Sequence, residues 1–176
     1  MNKYTLPAVL LHWSIATLII VLFSLGLYMV ELPADVVPSV RKPWFELHKS
    51  LGIMAFLLLI IRVFWRITHQ PPSLPEAISQ SKKQFISFMH VLFYISMLLQ
   101  PISGYLSSSF SGYKTKIFGV QLPHWGWKDE SYNEFFTLIH EASAITLFVL
   151  ILIHLVGIYF HYSKGNGKDI MQRILP

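Results

Sequence analysis

Residues 132–162, YNEFFTLIHEASAITLFVLILIHLVGIYFHY, decide the fold. Beyond Glu141 the stretch has no charged side chain, and as a helix it is long enough to cross the ~30 Å hydrocarbon core of a bilayer. It carries His140 and His154, fourteen residues apart. That is nearly four helical turns, so both imidazoles leave one face about 21 Å apart, near opposite sides of the lipid. A histidine at membrane depth is costly without a partner or an ion, and imidazole is the commonest metal ligand. The rest of the chain is therefore read for partners to these two.

The 176 residues suit a single domain over 1–176, and 53% hydrophobic residues with a mean hydropathy of +0.51 point to an integral membrane protein in contact with lipid. There is no cysteine, which excludes disulfides, thiolate zinc sites, iron–sulfur clusters and covalent c-type haem. The net charge of +5 does not imply nucleic acid, because the basic residues lie in short groups beside apolar runs, as juxtamembrane charges do. The amino-terminal apolar run ends in Glu31-Leu32-Pro33 without a small-residue cleavage site and reads as a retained span.

Three more stretches have span length. The first covers about 7–30, with Pro7 at the helix start and His12 inside. A proline-punctuated loop with Arg41 and Lys42 leads to a second span at about 44–66, starting near Trp44, holding His48, Lys49 and Gly52 and ending at Arg62 to Arg66. Ser81 and Gln84 have the form of a capping box and open a third, about 84–105, with His90 and Pro101. A long polar loop rich in Gly, Ser, Lys and Trp follows, and Ser131 with Glu134 repeats the capping form ahead of the fourth span at about 132–162. The expected fold is all-α, a transmembrane four-helix up-down bundle.

With four crossings, one side holds Lys3, Arg62, Arg66, Lys82, Lys83, Lys164, Lys168 and Arg173, and the other holds Arg41, Lys42, Lys49, Lys114, Lys116 and Lys128. The excess places both termini inside. Depth then sorts the histidines. His12 lies about 8 Å and His154 about 12 Å from the inner side, while His48 and His140 both belong to the outer leaflet. His90, also about 12 Å deep, competes with His12 on depth alone. Two imidazoles per layer do not make a closed zinc shell, whereas two axial imidazoles with an open plane between them suit haem iron. Gly52, one turn beyond His48, would let a flat ring approach, and Lys49, Arg62 and Arg66 are candidate partners for its carboxylates. His161, seven residues past His154, stands on the same face where a quinone head group could touch it. His69 and His124 fall in loops and read as solvated or interfacial.

These residues resemble the bacterial cytochrome b561 family of small four-helix di-haem membrane cytochromes. The likeness runs through His12-Trp13, His48-Lys49-Ser50-Leu51-Gly52, Arg62-Val63-Phe64-Trp65-Arg66, Pro101-Ile102-Ser103-Gly104, Phe118-Gly119 with Pro123, His140-Glu141 and His154. It implies two haem b groups, with His12 and His154 as the inner iron ligands and His48 and His140 as the outer ones, which decides against His90. It further implies a bacterial inner membrane location, electron exchange with ubiquinone near His161 and, in one type, oxidation of superoxide as a superoxide:ubiquinone oxidoreductase. The rival expectations are a cytochrome b subunit passing electrons from a redox protein partner, a dehydrogenase or hydrogenase, to quinone, and a haem-free metal transporter.

Overall fold

A computed structural model of the chain describes residues 3–33, 37–72, 78–163 and 174, with the backbone alone at 161 and 162. The protein is an all-α bundle of four helices, each long and apolar enough to cross a membrane: α1 (Leu6–Glu31), α2 (Pro38–Thr68), α3 (Gln80–Phe110) and α4 (Glu130–Ser163). Lys164, Lys168 and Arg173, which entered the count of inner charges, lie outside the described residues.

Several helix starts differ from the sequence reading. α2 begins at Pro38 rather than near Trp44, so Arg41 and Lys42 are helical. Proline is compatible with a first turn, where its missing N–H would have no partner anyway, and Pro43 follows early enough to interrupt a single bond. α3 begins at Gln80, ahead of Ser81, and its first residue is preceded by extended Ser79. At α4 the cap is Asp129, not Ser131: its carboxylate accepts the Tyr132 amide at 3.1 Å, which satisfies one of the free donors of the first turn. The Asp129 amide in turn donates to the Phe110 carbonyl at 3.0 Å, tying the end of α3 to the start of α4.

The long polar loop is ordered. Lys116–Ile117 (β1) pairs antiparallel with Val120–Gln121 (β2), Lys116 opposite Gln121 and Ile117 opposite Val120. Phe118 and Gly119 make the turn with φ of 44° and 90°, the left-handed pair that matches the twist of a two-residue hairpin. The hairpin packs on α2 through Ser50, which is 2% exposed. The Ser50 hydroxyl accepts the Phe118 amide at 3.0 Å and donates to the Glu46 carbonyl at 2.7 Å.

α1 packs mainly on α2 and α3 on α4, with a smaller α2–α3 contact. The bundle is thus two helical hairpins set side by side. Seams between helices are lined by small hydroxyl residues, Ser96, Ser103, Ser108, Ser109 and Ser143 all being buried, as expected where helices in lipid gain from close approach rather than from hydrophobic burial. Large apolar side chains such as Ile20, Leu27 and Ile67 point outward, where the solvent is hydrocarbon. Phe23 of α1 meets Phe148 of α4 with ring centroids 5.9 Å apart, a bridge between the hairpins lying between the two histidine depths.

Candidate functional site

The layer expected to be the outer one joins α2 to α4. His48 and His140 face each other with ring centroids 6.3 Å apart and planes at 76°. Imidazole nitrogens each about 2 Å from a shared metal ion would put their ring centroids roughly 6 Å apart, so the spacing of the pair would suit a group held by both rings. His48 Nδ1 is buried with no hydrogen-bond partner, a state that favours an added ligand because an unpaired buried polar atom costs a few kcal/mol. Gly26 of α1 passes close by: a methyl there would come to 3.8 Å from His48 Cε1.

His140 is held differently. Its Nδ1 donates to the Gln100 carbonyl of α3 at 2.9 Å. A carbonyl only accepts, so the proton sits on Nδ1 and the lone pair on Nε2. The Gln100 carboxamide nitrogen lies 3.3 Å from that Nε2, and its oxygen accepts the Ser143 hydroxyl. Gly104 gives the ring room, since a Cβ there would stand 2.9 Å from His140 Cε1 and Nδ1. Gly52 has nothing within 4 Å of where a Cβ would be and fronts open space one turn from His48.

Above this layer Lys49 donates to the Ser108 hydroxyl at 2.7 Å, and Ser108 pairs with Thr115 at 2.7 Å. The Thr115 amide donates to His124 Nε2 at 3.0 Å. His124 is therefore half-buried and structural rather than solvated, and Lys49 already has one of its three donors engaged. His69, by contrast, is exposed and stacks on Trp65.

The inner layer joins α1, α3 and α4. It holds His12, His90 and His154, one on each of these helices. His154 meets the edge of the Phe93 ring at 5.7 Å and is exposed, unlike His12 and His90. Arg62 donates to the Ala8 carbonyl at 3.1 Å, and Arg66 lies over the Tyr94 ring at 5.7 Å. The side chain of His161 is outside the described residues.

Among the described residues no group of three or more His, Cys, Asp or Glu is arranged to hold an ion by itself. The facing His48 and His140 rings would fit a group that brings most of its own metal donors, as haem does. Gln100, Ser143 and Gly26 went unnoticed in the sequence. A glutamine amid the apolar residues of a span was the one signal that marked the first of them.

Comparison with known proteins agrees with this architecture. The family model described as prokaryotic cytochrome b561 matches residues 3–176. "Cytochrome b561 homolog 2" of Escherichia coli (strain K12) is 33% identical over 180 residues, covering 99% of this chain and 92% of that protein. "Cytochrome b561 homolog 1" of the same organism is 23% identical over 176 residues, covering 100% of this chain and 98% of that protein. The chain belongs to the prokaryotic cytochrome b561 family, as a multi-pass membrane protein with the transmembrane electron-transfer role of that type.

Proposed function

We propose that the protein carries two b-type haems, the outer between His48 and His140 and the inner between His12 and His154, and moves single electrons across a bacterial inner membrane to ubiquinone. The observation that carries this is the facing outer pair, 6.3 Å between centroids with one buried ring nitrogen unpartnered. When bound, each haem would be held by its histidine pair and would supply one-electron redox chemistry. The chain's own work is to hold the ligands, to fix their tautomers and to surround them with apolar helix faces.

Both termini are assigned to the cytoplasm, which puts the β-hairpin and the outer layer on the opposite face. That face carries Arg41, Lys42, Lys114, Lys116 and Lys128, and a cationic surface of this kind speeds the encounter with a small anion. Superoxide is the donor that fits it. The quinone site is placed at the inner end of α4, around His161. With Arg62 on the Ala8 carbonyl and Lys49 on Ser108, each cation keeps further donors for a haem carboxylate.

The test is a haem assay and stopped-flow mixing on purified protein. Two haems per chain, and haem reduction by superoxide whose rate constant falls several-fold between low and physiological salt, are expected. A colourless protein defeats the haem assignment. Slow, salt-independent reduction defeats the superoxide assignment alone, and co-purification of a redox subunit would then identify the donor.

A further inference from the structure

We infer that α3, which supplies no ligand in the reading above, is the element that orients the outer ligand, with Gly104 and the Gln100 carbonyl as the groups that position His140; this rests on His140 being an axial ligand. Gln100, Ser103 and Gly104 are spaced to share one helix face, and all three meet the same imidazole. The Gln100 carbonyl takes the Nδ1 proton at 2.9 Å, and the Ser103 hydroxyl lies 3.5 Å from the same nitrogen while spending its own proton on the Leu99 carbonyl at 2.6 Å. Gly104 forms the floor: a Cβ would lie 2.9 Å from two ring atoms, a distance that real side chains do not tolerate. A methyl there would press on the ring beside the nitrogen that Gln100 holds.

Pro101 stands in the same turn. It lies inside α3 and has no N–H to bond the carbonyl four residues earlier. Within the Pro101-Ile102-Ser103-Gly104 motif, Ser103 and Gly104 are the residues that seat the side chain from α4. The two outer ligands then have different duties. His140 is clamped in tautomer and plane, while His48 has a free Nδ1 and only ordinary contact with Gly26. A hydrogen bond to the far nitrogen of a metal-bound histidine sets its basicity and orientation, and through them the metal's potential.

The experiment is Gly104→Ala in the purified, haem-loaded protein, read by redox titration of each haem and by electron paramagnetic resonance of the oxidised irons. The expected result is at least a tenfold change in the one-electron equilibrium constant of the outer haem, about 59 mV, with a shifted outer low-spin signal and an unchanged inner one. Unchanged potentials and signals at both haems would overturn the seat, and so would equal changes at both, which would mean general loosening. His140→Ala separates the two levels: if it retains both haems, the ligand assignment itself has failed. Should Gly104→Ala not accumulate, the wild type decides. With ¹⁵N-labelled histidine, the His140 Nδ1 proton is expected to exchange slowly with heavy water, and exchange as fast as that of an exposed imidazole refutes the clamp.

Discussion

The outer and inner histidine layers are built from the same residue type on the same helix, yet they are closed in different ways. At the outer layer two imidazoles face each other, one is hydrogen-bonded to α3, and a β-hairpin anchored on Ser50 lies over them. At the inner layer there are three imidazoles on three helices, His12 and His90 half-buried and His154 exposed, and Arg62 donates to the Ala8 carbonyl. The contrast teaches that depth in the membrane selects which histidines can meet, whereas hydrogen bonds and neighbouring glycines select which nitrogen each one presents. A layer with one clamped partner is defined by its pair. A layer with a surplus histidine is defined by a competition.

The largest effect separates the layers outright. His48→Ala and His140→Ala are each expected to reduce a two-haem protein to one haem per chain, measured by haem assay against protein concentration, while the inner haem persists; loss of both would mean that the layers are not independent. The inner competition comes next. His12→Ala should remove one haem and His90→Ala should leave both, with only a modest change in the inner potential, and the reverse result would move the ligand from α1 to α3.

The cover over the outer layer is tested by Ser50→Ala, which leaves the Phe118 amide without its acceptor. About 1–3 kcal/mol should be lost in thermal unfolding in detergent, with the hairpin opening before the bundle. The smallest effect is at the α3–α4 junction. Asp129→Ala removes the α4 cap and should cost about 1 kcal/mol with no change in haem content; a change in outer haem potential there would show that the α4 start, and not α3 alone, sets the position of His140.

Much of the fold was legible because lipid imposes a simple rule: each crossing must be a long apolar helix, and four such stretches stand in the sequence. Helix starts were read less well. Ser81 and Ser131 have the capping form, but the cap at α4 falls to Asp129, because cap choice depends on which oxygen reaches a free amide once the preceding chain is placed. The hairpin was missed because strands of two residues are too short to show alternation. At the candidate site, His12, His48, His140 and His154 were singled out by depth, and His90 emerged as a rival from the same arithmetic. Gln100 and Gly26 were not, since what matters about them is the ring across from them.

By itself the sequence determined that the chain lies in a membrane, how many times it crosses, and at what depth each imidazole sits, because apolar length and helical rise are local properties of the polypeptide. Only the tertiary structure decided that His48 and His140 face each other at 6.3 Å, that Gln100 takes one imidazole's proton, and that a methyl on Gly104 would displace that ring. Those facts depend on the rotation of each helix about its own axis and on how closely its neighbours approach. Packing between helices sets both, and no single stretch of residues encodes either.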